Sequence, residues 1–368
     1  MTKVLTLLGT RPEIIKLSPL IALLVERFEH VLVHSGQHYS YEMDAQFFAE
    51  LRLPTPTHML NVGSASHGEQ LARMLSRLEP LLHDERPDVV LVQGDTNTTL
   101  AGGLGAAKLN IPVVHVEAGC RSFNRAMPEE LNRVLVDHLA SALFVADEAA
   151  QRNLRNEGID EARCFLVGST AIDACERNRA YVTDSTILNQ HDVVPGGYLA
   201  LTVHRAENTH PAVLPGIIAA LETLAERYPI VFPVHPRTAA ALAAQGLQLS
   251  ARIRVCPPLG YIDMLRLVGA ARALLTDSGG LQEEAAVLGT PALILRQETE
   301  WQALVDAGFH ILAGNSTASI LATAEHSLSD AALATARSHT PHLRGGASQR
   351  ICDVIAALFA HDEQVLAT

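Results

Sequence analysis

Three acidic residues placed at the ends of apolar runs, Asp95, Glu117 and Glu129, have the type and position to move protons. Carboxylates gathered in a low-dielectric cleft have their pKa values pushed apart and upward, the condition under which one serves as acid and another as base. Plainer readings compete for two of them. Asp95 suits a loop-stabilising carboxylate, and Glu129, directly after Pro128, suits a first-turn helix residue that favours the dipole. Glu117 closes the apolar stretch Val113-Val114-His115-Val116 and is harder to explain as solvated surface.

A second set of residues suits an anion. In Thr276-Asp277-Ser278-Gly279-Gly280 an apolar run leads into a helical pattern, where glycines let backbone N–H groups approach a phosphate at the positive end of the helix. The competing reading is a tight turn capped by Ser278. Glu283 and Glu284 lie in the first turn of that helix, where one would merely favour the helix dipole and the other would reach ligand hydroxyls. Arg11, just before Pro12, could grip a diphosphate by paired hydrogen bonds, and Lys16 sits about one helical turn later. His204 with Arg205, and His235 with Arg237, end apolar runs of the second half. A histidine there could bind phosphate or donate a proton, or could be purely structural.

These residues need a frame that brings them together. Strand-length apolar runs at residues 4–8, 30–34, 88–92, 113–116, 143–146 and 164–167 alternate with helical patterns such as 12–27 and 98–109. That alternation predicts a parallel sheet covered on both faces. The rhythm breaks over residues 184–197 and restarts at 198–203, 230–234, 253–256, 273–276 and 292–295. The expected fold class is α/β with two Rossmann-like doubly wound domains, residues 1–172 and 173–347, and a final helix over 348–368 packing back on the first. Ligands of such sheets bind beyond the carboxyl ends of the strands, so the expected site is the cleft between the domains. Each singled-out residue follows directly on a strand or opens the next helix.

Composition narrows the function. With 28 Lys and Arg against 40 Asp and Glu the formal charge is −12, which disfavours a nucleic-acid partner. No apolar run reaches the length of a membrane span, and Arg11 and Glu13 interrupt the N-terminal apolar stretch early, so the expectation is a cytoplasmic protein with no membrane partner. The five cysteines are dispersed and form no CxxC pair, which predicts buried thiols and no structural zinc. There is no HExxH, no GxxxxGK[ST] and no GxGxxG at the first strand-to-helix turn, so neither a metal nor a nicotinamide cofactor is expected.

Read together, Gly9-Thr10-Arg11-Pro12-Glu13, Gln93-Gly94-Asp95-Thr96, His115-Val116-Glu117-Ala118-Gly119, Pro128-Glu129-Glu130-Leu131-Asn132-Arg133, His204-Arg205 with Glu207-Asn208, and the run from Thr276 to Glu284 resemble the non-hydrolysing UDP-N-acetylglucosamine 2-epimerases. The resemblance spans nearly the whole chain. Residues 12–19 and 37–41 look closer to the archaeal-type branch. The resemblance implies a glycosyltransferase-B arrangement of the two domains, a homodimer and a UDP-sugar substrate. It also implies a reaction: anti elimination of UDP, with loss of the C2 proton, gives 2-acetamidoglucal, and re-addition with protonation on the opposite face gives the manno epimer. Asp95, Glu117 and Glu129 would be the proton carriers, without assignment to a face. His204 and Arg11 would stabilise the departing diphosphate, and Ser278, Gly279, Gly280 and Glu284 would hold phosphate and ribose.

One departure stands out. After Glu300 the family usually carries Arg-Pro, whereas this chain has Trp301-Gln302. Either another cation such as Arg296 compensates, or the substrate is a different UDP-hexosamine. A hydrolysing 2-epimerase, a glycosyltransferase and a catalytically silent nucleotide-sugar sensor are the competing functions; the proton-carrying triad disfavours the last two.

Overall fold

The computed structural model describes residues 1–37, 41–339 and 344–359. Its backbone divides into two units. The first holds Met1–Ala174 together with the C-terminal segment that contains the helix Ala347–Phe359, and the second begins at Cys175. The expected division at 172/173 lies two residues before this one. Residues 38–40 of the segment 37–41, and the stretch 360–368 assigned to the final helix, lie outside the described residues.

The first unit is built on β1 (Lys3–Leu8), β2 (Glu29–His34), β3 (His58–Met59), β4 (Val89–Gln93), β5 (Val113–Ala118), β6 (Ala142–Val145) and β7 (Cys164–Leu166), in the spatial order β3-β2-β1-β4-β5-β6-β7. All its pairings are parallel. The second unit repeats the plan with β8 (Leu199–Thr202), β9 (Ile230–Pro233), β10 (Ile253–Cys256), β11 (Ala273–Thr276), β12 (Ala292–Ile294) and β13 (Ile311–Leu312), ordered β10-β9-β8-β11-β12-β13, again parallel throughout. Strand order reverses between β1 and β4 in one unit and between β8 and β11 in the other. These are the switch points at which open α/β sheets present a crevice.

Both sheets are buried on two faces, which explains their uninterrupted Val, Leu and Ile runs. In the first unit Leu5, Leu7, Val90, Val92 and Leu143 pack with Met74, Leu78 and Leu82 of the helix His67–Glu85. In the second, Leu199, Leu201, Phe232 and Leu275 meet Ile217, Leu221 and Ile320. Each such side chain contributes about 1.5–3 kcal/mol by leaving water.

Local chemistry sets the helix starts. In the helix Arg11–Arg27, Pro12 occupies the first turn and Glu13 accepts the Thr10 N–H at 2.7 Å, which closes the N-terminus. Ile14, Leu17, Leu20, Ile21 and Leu24 then recur on one face and are fully buried. The helix Ala347–Phe359 lies on Arg11–Arg27. Asp173 anchors its start by accepting the Ser348 N–H at 2.7 Å. Among the described residues no helix is long and apolar enough to cross a membrane. Cys175, Cys256 and Cys352 are buried thiols, but Cys120 and Cys164 are only half-buried, because each sits where a strand meets a loop.

Candidate active site

In the first unit the switch point is lined by the loops after β1, β4 and β5. Glu13 joins the first two. Its fully buried carboxylate accepts the Gly9 N–H at 2.9 Å, the Thr10 N–H at 2.7 Å and the Thr96 hydroxyl at 2.8 Å, so it fixes the loop after β1 against the loop after β4. Burial pushes this carboxyl above the ordinary carboxylate range, opposed by the Thr96, Gly9 and Thr10 donors. The spacing Thr10-x-x-Glu13 is the capping-box signature that marks this role in the sequence.

Two of the three candidate proton carriers come together here. Glu117 takes a left-handed conformation, φ 68°, at an irregularity in β5, which turns its carboxylate to Lys16. The Lys16 ammonium lies 2.7 Å from both oxygens, and the Gln93 amide also donates to this carboxylate. A non-glycine residue in that region is uncommon and marks a position held by its surroundings. Asp95, in the loop after β4, pairs with Arg133. Burial pushes the Asp95 carboxyl up, Arg133 opposes the rise, and the charge of Glu117 adds to it. Asp95 therefore lies within the field of Glu117, although 34% of its side-chain surface stays open. Glu129 is half-buried in the first turn of the helix Pro128–Leu139 and joins none of these hydrogen bonds. Its neighbour Glu130 is the buried one. It accepts the Ser122 and Phe123 N–H groups, each at 2.9 Å, and pairs with Arg133 at 3.2 Å. Arg11 is half-buried, with its guanidinium 5.4 Å from the centre of the Phe47 ring.

The second unit has its own cluster at the β8/β11 switch point, organised by Asp277. This carboxylate is fully buried and accepts from the His204 N–H at 2.9 Å, the Arg205 N–H at 2.9 Å, the Asn208 amide at 3.1 Å and the His204 ring Nδ1 at 2.9 Å. Burial raises its pKa, but the His204 bond and the surrounding donors outweigh burial and leave it below the ordinary range. The bond to Nδ1 fixes the orientation of the His204 ring, and 37% of its side-chain surface stays open. The His235 ring lies 5.7 Å away, tilted by 43°, and Arg237 donates to the His204 carbonyl at 3.1 Å. His235 also caps the helix Pro236–Ala244, accepting the Arg237 N–H at 3.1 Å.

Ser278, Gly279 and Gly280 open the helix Gly279–Val287, with the Ser278 hydroxyl accepting the Leu281 N–H at 3.4 Å. A side chain at Gly279 would come within 3.4 Å of Glu300 and 3.7 Å of Arg205, whereas one at Gly280 would meet nothing. The approach to this helix terminus is thus kept free of carbon beside a guanidinium. Arg205 is aimed there by its bonds to the Asp277 carbonyl at 3.2 Å and to Glu300 at 3.4 Å. Arg296 clamps Glu300 through both terminal nitrogens, at 2.6 and 3.1 Å, so its charge is committed to that carboxylate. Burial pushes the Tyr261 hydroxyl well above its usual range, with the nearby Glu284 adding to the rise. Trp301 is half-buried at the start of the helix Gln302–Asp306. It is the chain's one tryptophan, so UDP is expected to change the intrinsic fluorescence if Trp301 borders the nucleotide. An unchanged spectrum at saturating UDP would separate it from the ligand.

Among the described residues no group of three or more His, Cys, Asp or Glu could hold a metal ion. The arrangement offers an anion-binding helix terminus with convergent cations in one unit, and carboxylates with lysine and arginine partners in the other.

Comparison with known proteins gives these clusters a context. A family model described as UDP-N-acetylglucosamine 2-epimerase matches residues 24–356. The UDP-N-acetylglucosamine 2-epimerase of Methanocaldococcus jannaschii is 45% identical over 334 residues, 88% of this chain and 91% of that protein. The UDP-2,3-diacetamido-2,3-dideoxy-D-glucuronate 2-epimerase of Pseudomonas aeruginosa is 38% identical over 363 residues, 97% of this chain and all of the relative. Among solved structures, the Methanocaldococcus jannaschii UDP-GlcNAc 2-epimerase in complex with UDP-GlcNAc and UDP superposes with a TM-score of 0.88 at 42% identity, covering 97% of this chain and 100% of that one.

Proposed function

Because the chain belongs to the UDP-N-acetylglucosamine 2-epimerase family, we propose that it interconverts UDP-N-acetylglucosamine and UDP-N-acetylmannosamine without releasing UDP, as a cytoplasmic homodimer. The observation that carries this reading is the mutual placement of Asp95 and Glu117. Two neighbouring carboxylates, each with its own basic partner and the charge of one raising the pKa of Asp95, suit a reaction that removes a proton from one face of C2 and returns one to the other.

The labour divides between the clusters. Arg205, Ser278, Gly279 and Gly280 hold the diphosphate at the helix terminus, Glu284 holds the ribose, and His204 turns its Nε2 to the departing phosphate. Lys16 and Arg11 add positive charge where the anomeric bond breaks, a contribution of a few kcal/mol for each well-placed donor. As the C1–O bond breaks, its electron pair leaves with UDP. The C2 proton passes to one carboxylate, and the C2–H electrons close the C1=C2 double bond of 2-acetamidoglucal. The reverse sequence, with the proton delivered to the other face by the second carboxylate, gives the epimer. Glu129 is a third carrier in this proposal. The route asks for neither nicotinamide nor metal, since the departure of UDP itself accepts the electrons.

Incubation of UDP-N-acetylglucosamine with the protein in deuterated water is expected to yield the manno epimer carrying deuterium at C2 with UDP still attached. Stoichiometric release of UDP without that product would favour hydrolysis, and an absence of exchange would refute epimerisation of this sugar. The Pseudomonas aeruginosa relative and the Trp301-Gln302 departure favour running the diacetamido glucuronate derivative in parallel as the second substrate.

The homodimer has a candidate surface. Leu131, Leu135 and Leu139 lie at successive helical turns of Pro128–Leu139 and are 43%, 52% and 36% exposed, an apolar ridge able to meet its own copy. Replacing Leu135 with Glu is expected to halve the mass seen by light scattering. A mass unchanged from wild type would place any interface elsewhere.

A further inference from the structure

His115 lies in mid-strand on β5 and is fully buried, yet neither its charge chemistry nor its position is used by the reaction above. Its ring is wedged between the helix Pro128–Leu139 and the loop after β4. Nδ1 lies 2.6 Å from the Asp137 carboxylate and Nε2 lies 2.8 Å from the Gly94 carbonyl. Asp137 also accepts the Gly119 N–H at 3.1 Å and Arg121 at 2.8 Å. Burial raises the Asp137 pKa, but His115 and Arg121 outweigh burial and keep it below the ordinary range. The ring thus bridges the Asp137 side chain on one side and the backbone at Gly94 on the other.

The consequence falls on the proton carriers. Gly94, at φ 76°, directly precedes Asp95, and its peptide is held from both sides by β5, its N–H by the Val116 carbonyl at 3.0 Å and its carbonyl by His115. Glu117 follows Val116 on that strand. Beyond it, Gly119 at φ 79° is pinned by Asp137, and a side chain there would strike the Ala150 carbonyl at 2.4 Å. Asn132 and Arg133, on the same helix as Asp137, bind the Asp95 carbonyl and carboxylate. We propose that His115, locked to Asp137, is the positioning residue that sets Asp95 against Glu117. It touches no substrate atom and acts through the Gly94 peptide.

This rests on the reading of Asp95 and Glu117 as the proton carriers, and the test separates the two. Four proteins are compared, wild type, Asp95→Asn, His115→Gln and His115→Ala, for UDP affinity, for KM and for the rate of C2 deuterium exchange. His115→Gln keeps a donor for the Gly94 carbonyl, while His115→Ala keeps none. The expected result is UDP binding as in wild type for both His115 variants, with the turnover of His115→Ala down about a hundredfold at little change in KM and that of His115→Gln restored in large part. Wild-type turnover in folded His115→Ala, or equal losses in the two variants, would overturn the positioning role while leaving the chemistry standing. Full exchange in Asp95→Asn would instead remove the underlying reading. Should His115→Ala not fold, His115→Leu takes its place as the donor-free variant in the same assays, and turnover equal to that of His115→Gln overturns the proposal.

Discussion

Exchange at C2 in Glu117→Gln is expected to fall about a hundred- to ten-thousand-fold, with UDP affinity within about twofold of wild type. Glutamine preserves the shape of the side chain, and its carbonyl can still accept from Lys16 and Gln93, so the left-handed turn at residue 117 has its supports. What it loses is the capacity to take a proton. Arg205, Ser278, Gly279 and Gly280, proposed to hold the diphosphate, lie in the other unit at the β8/β11 switch point, and the hydrogen bonds described for them do not involve Glu117. The split between turnover and binding is the discriminating feature. Proton NMR of the C2 signal in deuterated water gives the exchange rate, and calorimetry gives UDP affinity. Exchange at the wild-type rate would remove Glu117 from the reaction; a parallel loss of UDP binding would show that it organises the whole site.

The parts of the site legible in the sequence are those where a residue type is out of keeping with its element. An acid closing an apolar strand, a glycine pair opening a helix and a histidine ending a strand all mark switch points, because backbone groups there face a crevice and not a packed layer. Strand positions were legible for the same reason, since two-sided burial leaves long β-branched runs. The two-residue strands β3 and β13 were not, as His58-Met59 and Ile311-Leu312 are too short to carry a period and exist only by pairing at a sheet edge.

The supporting residues were harder to see. Glu13, Arg133 and Asp137 sit in ordinary helical patterns, and their roles depend on which loops the sheet brings to them. His115 did leave a signal, a single polar residue within Val113-Val114-His115-Val116, but periodicity alone cannot say whether such a residue faces a carboxylate or a cavity. Arg296 shows the converse. As a spare cation near Trp301 it was a candidate to replace the missing arginine, yet both of its terminal nitrogens are taken by Glu300, which leaves Arg205 as the guanidinium beside Gly279.

Asp277→Asn is expected to destabilise the second unit by about 3–5 kcal/mol, since it leaves buried donors without an anionic partner. The wild-type carboxylate has no exposed surface and accepts from two backbone amides, one side-chain amide and the His204 ring. Asparagine offers one acceptor in place of two and turns an N–H₂ group toward donors. At about 2–4 °C per kcal/mol for a unit of this size, the melting transition should fall by about 10 °C. The pH dependence follows from the sign of the shift. The folded carboxyl titrates below its unfolded value, so its stabilisation is present above the ordinary aspartate pKa of about 3.9 and is lost as pH falls through the folded value. Wild type and variant should therefore differ most near neutrality and converge in acid. The same substitution frees the His204 ring and the backbone that leads to Arg205, so the rise in melting temperature that UDP gives the wild type should be largely absent. Calorimetric scans at pH 7 and pH 3.5, with and without UDP, test each part. A variant that melts with the wild type and still responds to UDP would show that Asp277 neither holds this unit together nor shapes its anion site.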